Sequence, residues 1–312
     1  ATSGQDALGI HTYSLEGYYG FSSRRGNLLF RYAYDGLFPT FSLSYSDSSE
    51  YFRDNDVSLR SREMKLASLW PLRLRRSSQL YAYADLHLKR RAVLDDWGAY
   101  EIQGSTDGIR LGIDFNSSRE YYDSVSPADG GRATIQCSIQ PAGLGNAWAS
   151  RSIQADLRRY IPFFRPGVLA WRLAMARSWN TGYSAYDMGG RETGSRLGSD
   201  QPFRLLRGYG LGSFSGDRGW QFNLEYRLPL LKIEKAFLPA VSLDRLWLSA
   251  FFDSGRLYGS YYSDPTAYSV GVETVLRLAF GGASAFDLSF GAAHGFGPDR
   301  QWWFYLRTGR SF

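Results

Sequence analysis

The side chains best suited to chemistry are scattered, and the scatter limits what they can do. His11, His87 and His294 are the only histidines; they lie far apart, and no serine-acid pair or nucleophile elbow accompanies them. They form no metal-ligand spacing. Cys137 is the single cysteine, so no internal disulfide is available. It alternates with Ile135 and Ile139 as a small apolar residue on a strand face. The segment from Gly208 to Ser213 is glycine-dense, as phosphate loops are, but it lacks the following lysine and no βαβ pattern surrounds it. The chain therefore reads as not an enzyme, with no catalytic residue, metal or cofactor expected. Paired charge is what remains. Arg31, Asp35, Lys89, Arg110, Asp114, Arg172, Glu273 and Arg277 all fall at polar positions of alternating segments.

The elements that position these charges are strands. Apolar and polar residues alternate with period two, which gives a strand two unlike faces. Leu28, Phe30, Tyr32 and Tyr34 alternate with Leu29, Arg31, Ala33 and Asp35, and Ile109, Leu111, Ile113 and Phe115 with Arg110, Gly112, Asp114 and Asn116. Phe222, Leu224, Tyr226 and Leu228 form an apolar face and leave Glu225 on the other. Leu246, Leu248, Ala250 and Phe252 do the same for Asp253. Fourteen strands are expected: 11–20, 26–35, 39–47, 57–70, 78–90, 107–117, 131–139, 149–158, 168–179, 219–228, 245–256, 267–279, 285–294 and 301–312.

Alternation alone fits both a soluble sandwich, with the apolar face as core, and a membrane barrel, with the apolar face toward lipid. Length and composition separate the two. Many segments run nine to thirteen residues, about what a tilted strand needs to cross a bilayer, whereas sandwich strands average nearer five or six. The 312 residues include 22 Tyr, 20 Phe, 9 Trp and 34 Gly, yet mean hydropathy is only −0.33. Aromatic girdles combined with one polar face give that profile. No run approaches 18 consecutive apolar residues, so no transmembrane helix is available. The net charge of +6 is spread along the strands instead of forming one patch, and nucleic acid is not an expected partner.

The connections alternate in character. Tight turns occur at Asp35-Gly36 through Pro39 and at Gly281-Gly282, and longer polar loops at 48–56, 91–106 and 180–218. Short turns on one side and long loops on the other suit the two ends of an outer-membrane barrel. The segments 118–130 and 229–244 fit poorly, being long on the short-turn side. The chain ends in a strand whose Trp302, Phe304 and Leu306 share a face, with Phe312 last. That ending resembles the C-terminal assembly signal of bacterial barrel proteins, with Phe304, Leu306 and Phe312 as its residues; Arg310 departs from the usual apolar preference. Ala1 opens a polar stretch without signal-peptide regions, so the chain is expected to be a processed or trimmed product.

Three pieces in order name a family. They are Arg207-Gly208-Tyr209 at the end of the longest connection, Glu225-Tyr226 with Pro229 close behind, and Phe252-Asp253-Ser254-Gly255. Together they resemble the BamA/TamA superfamily of outer-membrane barrels, also called the bacterial surface antigen family, most sharply over 200–312. The resemblance implies an all-β, antiparallel, up-and-down transmembrane barrel of sixteen strands, spanning 1–312, with the loop of about 180–218 folded from outside into the lumen. Arg207 would pair with Glu225 and Asp253 on the inner wall, Gly208 would permit a tight turn, Tyr209 would pack on the wall, and Phe252 and Gly255 would support the motif. A guanidinium suits that task because its planar fork serves two carboxylates and stays charged. Five strands follow the loop, as in the family, but nine precede it, two fewer than expected. The first two strands and any soluble N-terminal modules are therefore expected upstream, or else a hairpin near 92–106 escapes the pattern.

The implied function is insertion and assembly of outer-membrane proteins, or translocation of polypeptides, in the outer membrane of a Gram-negative bacterium. The implied partners are outer-membrane lipids and lipopolysaccharide, unfolded or exported polypeptide clients, and periplasmic or lipoprotein subunits. Two alternatives stay open: a membrane anchor or export barrel for an upstream soluble domain, and a passive pore lined by the charges named above. Gly291, Gly295, Gly297 and Gly309 near the closing strands read as ordinary barrel glycines.

Overall fold

The computed structural model describes residues 1–20, 25–52, 57–94, 100–105, 107–121, 124, 126–142, 146, 149–164, 166–179, 185–191, 202–203, 205–238, 241–259, 265–280, 284–297, 301–309 and 312. Among them there is no α-helix. The strands are β1 (Thr2–Gln5), β2 (His11–Gly20), β3 (Arg25–Tyr34), β4 (Thr40–Phe52), β5 (Val57–Arg75), β6 (Ser78–Leu94), β7 (Tyr100–Ser105), β8 (Gly108–Asn116), β9 (Gly130–Gln140), β10 (Ser150–Pro162), β11 (Val168–Trp179), β12 (Tyr186–Met188), β13 (Gly190–Arg191), β14 (Leu205–Leu206), β15 (Phe214–Gly216), β16 (Arg218–Leu238), β17 (Val241–Tyr258), β18 (Ala267–Phe280), β19 (Ser284–Phe296) and β20 (Trp302–Thr308). The long strands pair in chain order in one sheet, from β1 through β6 to β8, on to β11, and then from β16 to β20, while β7 pairs on β6. The four short strands β12 to β15 form two small sheets, β12 with β15 and β13 with β14.

All fourteen expected strands are present, and the differences have local causes. Pro229 does not end its strand. It pairs with Trp247, and the register shifts between Pro229 and Leu231, so a bulge absorbs the residue that cannot donate to the ladder. A second shift lies between Lys232 and Lys235, where Glu234 has a φ of 45°. The supposed long connection 229–244 is thus mostly the far end of a β16–β17 hairpin. Pro71 likewise lies inside β5. The short strand β1 pairs with β2, and β7 adds a rib to β6 within the region where a hairpin was the alternative. The Gly281-Gly282 turn and Arg310 lie outside the described residues. The last strand ends at Thr308, not at 312. Gly309 has a φ of +90°, and Phe312 is buried instead of continuing the exposed face of Phe304 and Leu306. Of the three residues of the expected assembly signal, Phe304 and Leu306 lie on the outward apolar face with Trp302, and Phe312 does not.

Contacts divide the chain into two compact units. The first comprises Ala1–Leu74, Gln79–Asp114 and Gln136–Ser152. Its described residues bury no apolar side chain; Asn27, Asp47, Asp85, His87, Asp107 and Asn146 are what it buries. Asp47, Asp85, Asp107 and Asn146 have partners of opposite charge or hydrogen-bonding character, as desolvated polar groups require. Asp47 accepts from Arg60 Nε (2.7 Å) and Nη2 (2.6 Å), and from Arg62 Nε (3.2 Å). Lys65 lies 3.5 Å from Asp85, and Lys89 lies 3.2 Å from Glu63. The backbone N–H of Asp107 donates to Asn146 Oδ1 (2.7 Å), and Arg90 pairs with the Asp107 carboxylate. The apolar positions face the other way: Leu66, Leu111 and Ile113 are each about half exposed, at 50, 51 and 50%.

The second unit comprises Arg75–Ser78, Phe115–Ile135 and Ile153–Phe312. It holds every buried apolar residue described. One cluster joins Tyr186, Met188, Phe203, Leu206, Tyr209 and Phe214 of the long connection to Ala174, Ala176, Leu257 and Ala267 of the sheet. Another joins Leu205 to Ala128, Tyr160, Val168, Ala170 and Phe312. Alanines at alternate positions of β11 make the room that the connection fills.

Candidate functional site

The site lies on the covered face of β16, β17 and β18, where alternation turns Gln221, Asn223, Glu225 and Arg227 inward from β16. From β17 it turns in Trp247, Phe251, Asp253 and Gly255, and from β18 Ser269, Gly271 and Glu273. Cross-strand register stacks these into rungs. Glu225 pairs with Phe251 and Phe251 with Gly271; Asn223 pairs with Asp253 and Asp253 with Ser269. The next rung runs from Ser249 through Glu273 and Gly291 to Tyr305.

Arg207 enters this surface from the long connection and is completely buried. Its Nε and Nη2 donate to Asp253 Oδ2 (2.8 Å) and Oδ1 (2.7 Å), and its backbone N–H also donates to Oδ2 (3.1 Å). Its Nη1 donates to Glu225 Oε1 (2.7 Å) and lies 3.8 Å from Glu273 Oε2. The guanidinium carbon sits 3.5 Å from the centroid of the Phe251 ring. One face of the cation therefore rests on a π cloud while its edges meet carboxylates. Burial opposes the charge, but Asp253 and then Glu225 outweigh it and hold the Arg207 pKa well above its usual value.

Charge balances in the surrounding network. Arg227 Nε donates to Glu225 Oε2 (2.8 Å), and Arg227 Nη2 to the Phe312 carbonyl (3.0 Å). Arg307 Nε donates to Glu273 Oε2 (3.2 Å), and Tyr305 Oη to the same oxygen (2.8 Å). Arg207, Arg227 and Arg307 thus face Glu225, Asp253 and Glu273, three cations against three anions. Gln221 and Asn223 donate to the Leu205 carbonyl, fixing the residue two before Arg207.

Glycines shape the seat. Gly208 has a φ of +86°, a left-handed conformation in which a side chain is strained, and a Cβ there would lie 3.0 Å from the Gly295 nitrogen. A Cβ on Gly295 would lie 2.6 Å from the Gly208 carbonyl oxygen, so the two backbones meet where neither can carry a side chain. A Cβ on Gly255 would lie 2.6 Å from Met188 Sδ. The glycine of the Phe-Asp-x-Gly strand therefore leaves the space in which the loop's buried methionine sits. Gly271 and Gly291 make room for the rings of Phe251 and Tyr305. Tyr209 is buried, with its hydroxyl 2.9 Å from the carbonyls of both Tyr268 and Phe296 and its ring edge-on to Phe214.

Of the residues singled out in the sequence, Arg207, Gly208, Tyr209, Glu225, Asp253 and Gly255 are brought together. Phe252 is not: it points to the opposite face, 6.4 Å from Tyr268, and Phe251 supplies the aromatic surface. Phe304 and Leu306 lie outward, away from the site. The pattern gave no direct sign of Phe251, Asn223, Tyr305, Arg227 or Arg307. Strand phase could have placed all five inward. The histidines stay apart. His11 Nδ1 lies 2.7 Å from the Tyr32 hydroxyl, His87 Nδ1 lies 3.5 Å from Asp85, and His294 packs against Phe296 and Trp302. Among the described residues no group of His, Cys, Asp or Glu could hold a metal ion.

No protein-family profile and no curated protein sequence matches the chain. Solved structures do. BamA from Haemophilus ducreyi lacking POTRA domains 1–3 superposes with a TM-score of 0.64 at 14% identity, over 98% of this chain and 66% of that one. CdiB from Escherichia coli gives 0.59 at 14% identity, over 98% and 57%, and CdiB from Acinetobacter baumannii gives 0.53 at 16%, over 96% and 54%. The chain thus spans between about half and two thirds of each of those structures. At such identities the likeness is one of fold, and the chain has the β-barrel fold of BamA and CdiB.

Proposed function

We propose that the chain is the membrane-spanning barrel of a bacterial outer-membrane machine that inserts outer-membrane proteins or moves polypeptides across, with unfolded or exported chains as clients. The single observation that carries this reading is the Arg207 site: a loop tip anchored on Asp253 and Glu225 within a BamA-like and CdiB-like fold. The lipid setting has separate support. Buried polar residues and exposed apolar ones in the first unit invert the arrangement of a water-soluble sheet, and a sheet of that kind is at home with its apolar face in hydrocarbon. The packed interior of the second unit argues against a wide passive pore. On this reading 180–218 is an extracellular loop folded into the lumen.

The test reconstitutes the full-length parent protein in liposomes beside an unfolded outer-membrane client. Faster client folding that Arg207→Ala abolishes supports the assembly reading. No acceleration by the native protein contradicts assembly and leaves polypeptide export, measured by client transfer into the vesicles, as the activity to assay.

A further inference from the structure

A second cationic group lies on the outward face, at the rim from which the long connection departs. Arg177 near the end of β11 is paired directly across the sheet with Arg218 at the start of β16. Arg218 is opposite Tyr258, and Arg256 is opposite Trp220, so three guanidiniums occupy neighbouring positions on three adjacent strands. Like charges directly opposite each other destabilise a strand pair. Among the described residues neither Arg177 nor Arg218 makes an ion pair, in contrast to the balanced network around Arg207. Their partners are rings. Arg177 lies 4.8 Å over Trp179, and Arg218 and Arg256 lie 5.7 and 4.7 Å over Tyr258.

Directly adjoining them is a groove of about 600 Å³ on the same face, almost wholly apolar and walled by Ile153, Ala155, Met175 and Trp220. The groove and its cationic rim differ in what they can hold. The groove suits a hydrocarbon chain, and the rim suits an oxyanion, because paired guanidinium forks grip phosphate oxygens bidentately. A phosphorylated lipid carries both parts in one molecule, and its phosphate would turn the Arg177–Arg218 repulsion into a bridge.

We propose that this outward groove with Arg177, Arg218 and Arg256 is a binding site for a lipid with a phosphorylated headgroup, its acyl chain lying against Met175 and Trp220. The site rests on the outer-membrane reading, which places this rim in the outer leaflet. There the available phosphorylated lipid is the glycolipid anchor of lipopolysaccharide.

The full chain is folded into vesicles, extracted in mild detergent, and offered diphosphorylated lipid A or its fully dephosphorylated form; bound lipid is counted by native mass spectrometry. The native chain is expected to prefer the diphosphorylated form by about tenfold, the scale of one or two charged hydrogen bonds. The Arg177→Gln/Arg218→Gln chain should lose that preference while still binding the dephosphorylated lipid. Arg73→Gln, which removes an exposed cation of β5 that does not line the groove, should keep it. Inorganic phosphate should not displace the lipid. Equal binding of both lipids by the native chain, a preference that survives the double substitution or falls equally with Arg73→Gln, or displacement by inorganic phosphate would each overturn the proposal. A chain that fails to enter vesicles at all would overturn the membrane reading first, whereas a chain that inserts without phosphate preference removes only this site.

Discussion

The two compact units solve the problem of an alternating sheet in different ways. In the first, the inward face is polar and its charges pair along or across neighbouring strands, as Asp47 does with Arg60 and Arg62. Those cations stay partly accessible: the Arg60 and Arg62 side chains are 24% and 48% exposed. In the second, a loop lies on the inward face and takes its charges out of water altogether, Arg207 and Asp253 both being 0% exposed. The same kind of ion pair therefore has different energetic weight in the two places. A partly exposed pair contributes about 0–1 kcal/mol, whereas stripping one partner from a buried pair costs about 3–5 kcal/mol. The difference teaches that interior charge is a lining in the first unit and a fastening in the second.

Substitutions can break that comparison. The largest effect is expected from Asp253→Ala, which leaves Arg207 buried against too few anions, at a cost of about 3–5 kcal/mol; loop cleavage by added protease and thermal unfolding in detergent would read it. Next comes Leu111→Arg on the exposed apolar face of the first unit, which should cost about 2–4 kcal/mol if that face meets the bilayer midplane. Its measure is folding yield in vesicles, and an unchanged yield would contradict a lipid-facing surface. Gly255→Val should cost about 1–3 kcal/mol by crowding Met188, with the loss appearing as protease access to the loop while the strands of the first unit stay protected. The smallest effect is expected from Lys89→Ala, which removes a partly exposed pair with Glu63 and should change stability by about 1 kcal/mol or less. A Lys89→Ala cost as large as that of Asp253→Ala would erase the distinction between lining and fastening.

Much of this was legible in the residues. Period-two alternation locates fourteen strands and turns Glu225 and Asp253 to the polar face. The motif order then brought Arg207 to them. Where reading failed, the cause was physical. Pro229 looked like a strand end because proline cannot donate to a ladder, yet a bulge accommodates it. Phe312 was expected at the end of a strand running 301–312, yet the chain leaves the strand at Gly309 and Phe312 packs against Arg227. Phe252 stands in the Phe-Asp-x-Gly motif and so drew the expectation, although alternation alone puts Phe251 on Asp253's side. Alternation also could not say whether the apolar face was core or surface. Strand length and composition pointed to surface, and burial agrees, with Leu111 exposed and Asp85 enclosed.

The most direct test of the account is amide hydrogen exchange in the native chain and in Arg207→Ala, both in lipid vesicles. The account predicts that amides around 205–216 are protected in the native chain and exchange rapidly in the variant, while those of β2 to β6 keep their rates. Equal protection of 205–216 in both chains, or a loss shared by β2 to β6, would contradict the claim that Arg207 fastens the loop to the wall of the second unit.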